Sequence, residues 1–441
     1  MAYLAKFLVK KMKYNSYKMY LYDWLLEIPN HWTNRSLRSI FSLSDERKGN
    51  LDLQLLSVYR EYGVIPKDSR DDNHNVESED TSNYKVVHCT DLVINKMKLW
   101  QGSLGISTYD GFVSPAYIVC KTHTDCNLNY LNYLLRSSPL KTYYNRISYG
   151  IRVGQWDSDF HDFRKLYIPV PPRAEQDQIV RFLDWKTAKI DKLIEGYQKQ
   201  IALLEERKRA FVFTYVTKGI LPSVKQKCSD IYWLDYVPHH WQTKSISQLF
   251  SEVKCKNSGM QEKNLLSLSY GTIKQRDLNA TEGLLPESFE GYNIIEKADI
   301  VLRLTDLQND HKSLRTAISR ERGIITSAYL TIRNKSNNDS DYLHLFLHSF
   351  DLVKGFYNIG ASGVRQSLNW DVIKTLKILV PPINEQKKIV SFIKEEYQII
   401  EHSKQSIKKQ IALLKEYRTR LISDVVTGQI DVRDEVIPET R

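Results

Sequence analysis

The chain repeats itself, and that repeat constrains its fold more than any other feature. Trp24, Pro29, Trp32 and Phe41 stand in WLLEIPNHWTNRSLRSIF, and Trp233, Pro238, Trp241 and Phe250 stand in WLDYVPHHWQTKSISQLF, each pair 209 residues apart (24 to 233). Farther on, YIPVPPRAEQDQIVRF (167–182) matches KILVPPINEQKKIVSF (377–392) at a spacing of 210 (171 to 381). At the same spacing QKQIALL (198–204) and KKQIALL (408–414) agree at six of seven positions. Between these anchors the copies diverge. Asp91-Leu92-Val93 parallels Asp299-Ile300-Val301, and Ser114-Pro115-Ala116-Tyr117 parallels Thr326-Ser327-Ala328-Tyr329, but their surroundings differ. Such a chain folds as two copies of one plan, with a shared frame and different middles.

Each middle (21–168 and 231–378) carries short apolar or alternating runs, among them Lys85–His88, Asp91–Asn95, Phe112–Val119 and Ile324–Ile332, punctuated by Gly, Asn, Asp and Ser. Helical patches lie at Leu128–Leu135 and Tyr342–His348. This mixture predicts a twisted sheet with a few helices in each domain. Pro-Pro at 171–172 and 381–382 breaks the strand before it and opens a helix, with Glu175 and Glu385 in the first turn, where a carboxylate complements the helix dipole. The helices run to about Val216 and Val426, near Gly219 and Gly428. At this length each spans roughly 64 Å.

Along the first helix Ile190, Ile194, Tyr197, Ile201, Leu204, Lys208, Phe211 and Tyr215 recur alternately four and three apart. Ile400, Lys404, Ile407, Ile411, Leu414, Arg418, Leu421 and Val425 keep the same phase in the second. A stripe sustained this long at a period of 3.5 predicts a coiled-coil seam. The link 220–230 reaches at most ~40 Å, which favours an antiparallel pair. The expected fold class is α+β: two mixed α/β domains separated by two long helices in an antiparallel coiled coil, with pseudo-two-fold symmetry. The expected boundaries are a basic extension (1–20), a first domain (21–168), a helix (169–219), a linker (220–230), a second domain (231–378), a helix (379–428) and a tail (429–441). Residues before Tyr20 have no evident counterpart in the second copy.

Lys and Arg number 63 against 52 Asp and Glu, a net +11 that suits a polyanionic partner without specifying a base. Cys89, Cys120, Cys126, Cys228 and Cys255 form no CxxC pair, so neither a disulfide framework nor a zinc site is expected. No apolar stretch approaches the ~20 residues of a membrane span. The chain reads as cytoplasmic, with no membrane partner.

Two variable domains alternate with two near-identical helices, each opened by VPP-x-x-EQ, and each unit starts with IP-x-HW or its VP variant. This set resembles the specificity (HsdS) subunit of type I restriction–modification enzymes over about residues 21–430. The resemblance implies binding to double-stranded DNA and to two adenine methyltransferase (modification) subunits, joined in restricting complexes by ATP-driven motor–nuclease (restriction) subunits. It implies that each variable domain reads one half of a split, asymmetric target. It also implies that S-adenosylmethionine, ATP and Mg are used by the partner subunits, with no cofactor or metal bound by this chain. A helix pair would act as a ruler between the two readers.

The residues themselves point away from catalysis. Both Pro-Pro pairs follow Val (Val170, Val380), unlike the Asn/Asp-Pro-Pro-aromatic motif that holds an exocyclic amine, and no Gly-Lys dipeptide offers a phosphate loop. Asp371 with Glu385 and Lys387 mimics a metal-dependent nuclease triad, but Glu385 belongs to a helix-start motif repeated at Glu175. His31, His239 and His240 stand beside the repeated tryptophans, where packing explains them. For DNA contact the candidates are Arg146, Arg152, Gln155, Arg365 and Gln366 before the long helices, and Lys96, Lys98, Lys274, Arg276 and Arg303. Arg and Gln pair bidentately with guanine and adenine, whereas Lys mostly meets phosphate. Tyrosines, 27 of them, offer stacking surfaces besides core filler. An orphan or methylation-only specificity subunit, and a coiled-coil adaptor that binds no DNA, are the rival readings.

Overall fold

A computed structural model describes residues 12–438 except 21, 23, 70–79, 153–154, 222, 278–285, 287, 308–313 and 360–367. The chain divides into two compact units: Met1–Tyr197 with Lys409–Arg441, and Gln198–Lys408.

The first unit is built on a four-stranded antiparallel sheet, ordered Phe41–Ser44, Tyr117–Thr122, Leu92–Asn95, Leu104–Ile106. Side chains alternate across a strand, and here both faces are covered. Leu92, Ile94, Ile118 and Cys120 enter a core with the helices Leu128–Leu135 and Ser138–Arg146. Val93 and Val119 face the other way, against Leu56, Val58, Val64, Val87 and Val113. Burial on both sides explains why these strands read as continuous apolar runs. The run Phe112–Val119 is not one strand. Pro115 has no N–H to give a ladder, and Tyr117 N turns back to Ser114 O (3.0 Å). Gly111–Val113 therefore pairs with Lys85–Val87, while Tyr117–Thr122 joins the central sheet. Asn127 caps the first short helix, accepting from Asn129 N and Tyr130 N.

The second unit repeats the plan, with sheet order Phe250–Glu252, Leu330–Asn334, Ile300–Leu302, Thr316–Ile318. Ile300, Leu302 and Ile332 face the helix Ser340–Leu352, and Val301 and Ala317 face Leu266, Leu268, Ile295 and Ile325. The run 324–332 is broken as in the first unit, with Tyr329 N bonded to Thr326 O.

Each unit also closes a small antiparallel pair at its start. Tyr17–Met19 pairs with Glu27–Pro29, and Gln226–Cys228 pairs with Tyr236–Pro238. Lys18 Nζ donates to Trp32 O, and Lys227 Nζ donates to Trp241 O at 2.8 Å. The expectation that residues before Tyr20 lack a counterpart is thus corrected. The pairing is a backbone match between Tyr-Lys-Met and Gln-Lys-Cys, which share only the lysine.

The long helices span Arg173–Lys218 and Ile383–Val426. In the first unit Ile190 and Ile194 share a core with Leu414 and Leu421, with Tyr197 and Ile411 half-buried beside them, and Arg418 reaches Asp191 at 3.1 Å. In the second unit Ile400 is buried, Phe211 lies 5.3 Å from Phe392 ring to ring, and Lys208 meets Glu401 at 3.1 Å. Lys404, a cation inside the stripe, is held by Glu205 and Glu401. In both units the early part of one helix meets the late part of the other, so the pairing is antiparallel. Ile201, Leu204 and Ile407 are half-buried. Gly219 (φ +77°) and Gly428 (φ +74°) end the helices in the left-handed region.

The helix Ser340–Leu352 predicts a pH response. His344 and His348 are stacked 5.9 Å apart, with Nε2 of the first and Nδ1 of the second buried. Burial, then His348, pulls His344 down to about 3; burial, then Lys208 and Arg209, pulls His348 down to about 4. Arg320 and Asp341 also face His344, with opposite effects. An unfolded histidine titrates near 6.5, so the unfolded chain takes up protons first. The stability these groups give is complete above that pH and is lost as pH falls toward their folded values. Asp351, pushed up to about 6 by burial, acts oppositely, stabilising in acid and losing this as pH rises. Two histidines outweigh one carboxyl. The urea midpoint should fall from pH 7 to pH 5, and H344F/H348L should flatten that slope; an unchanged slope in the variant would refute this assignment.

Candidate nucleic-acid interface

The frame around each variable domain comes from the two repeated motifs acting on each other. Glu175 is buried, and its carboxylate accepts from Tyr14 Oη (2.6 Å) and Trp32 Nε1 (3.0 Å) and meets His31 Nε2 (2.7 Å). Burial and Glu175 hold the Tyr14 hydroxyl protonated, well above its usual range. In the second unit Glu385 meets His240 Nε2 at 2.9 Å, while Trp241 Nε1 is buried without an acceptor among the described residues. The next residue fastens the short helix. Gln176 Nε2 donates to Pro171 O (2.8 Å) and Oε1 accepts from Asn127 N (2.7 Å); Gln386 repeats this with Pro381 O and Asp339 N, both at 2.8 Å. The Glu-Gln dipeptide thus bolts each domain to its helix. Asp371 pairs instead with Lys374 at 2.6 Å, apart from Glu385 and its histidine. Among the described residues no group of three or more His, Cys, Asp or Glu is placed to hold a metal ion.

The first unit brings five of the candidates together. Lys96 and Lys98 immediately precede the turn Leu99–Gln101, against which the helix Ser138–Arg146 packs. Arg146 closes that helix with its guanidinium 5.2 Å from the Tyr143 ring. The chain then enters the hairpin Ser148–Arg152/Gln155–Ser158, where Arg152 and Gln155 stand opposite each other in backbone register. Trp156 seats the hairpin on Trp100 (5.1 Å between rings), and Lys96 reaches Asp157 at 2.9 Å. In the second unit Lys274 lies on, and Arg276 just beyond, the second strand of the hairpin Leu266–Ser269/Thr272–Gln275, both exposed. Arg303 follows Ile300–Leu302 and is half-buried, its N–H bonded to Arg315 O. Arg365 and Gln366 lie outside the described residues.

Sequence reasoning missed a cationic cluster beside the first group. Arg60, at a hairpin tip, gives its carbonyl to Arg136 Nη2 (2.9 Å) at the end of a helix. Lys141 lies against Gly102 of the neighbouring turn, and its ammonium is held below its usual value by burial first, then by Arg136 and Arg60. Glu61 opposes these charges and pairs with Arg60 at 2.7 Å. Three like charges in mutual range form a place an anion would stabilise. Their sequence separation hid them. A second missed signal is short: Tyr62-Gly63 and Tyr270-Gly271 are 208 apart (62 to 270), and both sit at hairpin tips with the tyrosines 58% and 77% exposed.

Comparison with known proteins bears on these surfaces. A family model described as the type I restriction modification DNA specificity domain matches residues 29–203 and again 238–412. The type I restriction enzyme MjaVIII specificity subunit of Methanocaldococcus jannaschii is 25% identical over 289 residues, covering 62% of this chain and 64% of that protein. A protein of the same organism assigned as the MjaX type I restriction enzyme specificity subunit is 24% identical over 310 residues, 69% of this chain and 68% of the other. A chain in a solved structure concerned with complex assembly and conformational transition of the type I R-M system aligns at 13% identity with a TM-score of 0.59, over 91% of this chain and 99% of that one. At that identity the likeness is one of fold. No described helix is long and apolar enough to cross a membrane.

Proposed function

The chain belongs to the type I restriction–modification DNA specificity family, and from that premise we propose that it is the DNA-reading subunit of such an enzyme and performs no turnover itself. Each variable domain reads one half of a bipartite, asymmetric target, and partner subunits methylate adenine and cleave with ATP. The observation that carries this reading is the contrast between frame and middle. The His–Glu pairs (His31–Glu175 and His240–Glu385) and the clamps of Gln176 and Gln386 repeat the same contacts, while the exposed polar groups differ between units. Frames that share these contacts suit two copies of one partner; different surfaces suit two different half-sites.

In this reading Arg60, Arg136 and Lys141 neutralise phosphate, as do Lys96, Lys98 and Lys274. Arg146, Arg152, Gln155, Arg276 and Arg303, with Arg365 and Gln366, supply base and backbone contacts, and Tyr62 and Tyr270 offer rings at the hairpin tips. Phosphate contacts set affinity and salt dependence without setting sequence. Binding of the complex with its methyltransferase to target DNA should therefore weaken steeply with salt. R60A/K141A should reduce the logarithmic salt slope by roughly two, about 0.9 per lost contact, and leave the sequence preference unchanged. Salt-independent binding, or none, would favour the adaptor reading. An unaltered slope in the variant would remove the cluster from the interface.

A further inference from the structure

The second unit carries a partly open cavity of about 230 Å³ lined by Trp233, Phe346, Phe350, Leu376 and Ile378. Asp230 and Lys377, paired at 2.8 Å, line it as well. The repeat explains its origin. Ser229 N donates to Asp235 O (3.0 Å) and Leu234 N to Ile231 O (3.0 Å), just as Tyr20 N donates to Leu26 O (2.9 Å) and Leu25 N to Tyr22 O (3.2 Å). Ser229 therefore occupies the backbone place of Tyr20. In the first unit Tyr20 is 4% exposed, its ring lies 5.5 Å from Trp24, and its hydroxyl donates to Tyr167 O at 2.6 Å. Trp24 and Tyr167 correspond to Trp233 and Lys377, two walls of the cavity. The second unit keeps those walls and loses the phenol, because the Ser229 hydroxyl is short and accepts from Ile231 N instead (3.0 Å).

We propose that this cavity binds a small aromatic molecule carrying one hydrogen-bond donor, of the phenol or indole class. Its ring would lie against Trp233 and its donor on the Lys377 carbonyl. Apolar cavities of about 150 Å³ already take up benzene, so the volume suffices. Aromatic walls favour a ring in offset or edge contact. A peptide carbonyl has two lone pairs, and Tyr167 spends one on Tyr20. The inference is independent of the DNA-reading assignment.

The test uses the full chain with phenol, indole and benzene, read by saturation-transfer resonance and thermal unfolding. Phenol and indole should compete for one site with affinity of ~1 mM or tighter, as their size allows, and benzene should bind several-fold more weakly. S229Y should raise the unfolding temperature without ligand and reduce phenol affinity at least tenfold. A second readout needs no cavity-filling variant: phenol should shift one of the eight tryptophan indole resonances, the one missing from W233F. No binding at about 10 mM, where so small a ligand should register, would overturn the proposal. So would a shift at another tryptophan, or binding that a folded S229Y leaves intact.

Discussion

Exchange of residues 37–166 for the matching stretch of a related chain is expected to rewrite one half of the methylated target completely, leaving the other half and the spacer unchanged. The junctions make this feasible. Ser36 pairs with Tyr167 at the edge of the strand pair Thr33–Ser36/Tyr167–Val170, which stays with the recipient. His31, Trp32, Glu175 and Gln176 also lie outside the exchange, so the bolt to the helix is retained. Arg60, Lys96, Lys98, Arg136, Lys141 and Arg146, with Arg152 and Gln155, all travel with the exchanged segment. Asn127, whose N–H meets Gln176, also travels; any donor must supply that backbone donor, which every residue but proline has. Mapping methylated adenines in cells carrying the hybrid alone would read the outcome. A change in both halves, or only in the half read by 231–378, would break the assignment of one domain to one half-site.

Lengthening both long helices should change the spacer and not the half-sites. The ion pairs Asp191–Arg418 and Glu205–Lys404 mark the register on either side of the insertion points. Four residues added after Ile201 and four after Ile407 extend each helix by roughly 6 Å and rotate its end by about 40°. DNA rises ~3.4 Å per base pair along one strand, so the preferred spacer should grow by one or two base pairs. The duplex turns by roughly 70° over that distance, given about 10.5 base pairs per turn. Affinity for the lengthened site should therefore fall, or specific binding should vanish while salt-sensitive non-specific binding persists. Full-rate methylation at the original spacing would show that the helices do not set the distance.

Much of this protein was legible in its sequence, because the informative features are local or repeated. A 3.5-residue stripe needs only helical geometry to become a seam, and Pro-Pro followed by Glu-Gln marks a helix start through backbone chemistry alone. The duplicated motifs announced two units of one plan, since like sequences meet like packing. What the motifs do was not legible. Glu175 read as a first-turn carboxylate facing the helix dipole, whereas folding buries it against Tyr14, His31 and Trp32, over 140 positions away. Phe112–Val119 read as one short apolar run, and hydrophobicity does not report direction; the turn at Ser114–Tyr117 sends its two halves to different sheets. The cluster of Arg60, Arg136 and Lys141 exists only where a hairpin tip meets two helices, and charge spacing along the chain cannot encode that meeting. The cavity beside Trp233 is subtler still. Tyr20 against Ser229 is one difference among many in the alignment, and only packing turns a missing ring into a space, because a close-packed interior leaves volume wherever a side chain is too short to fill it.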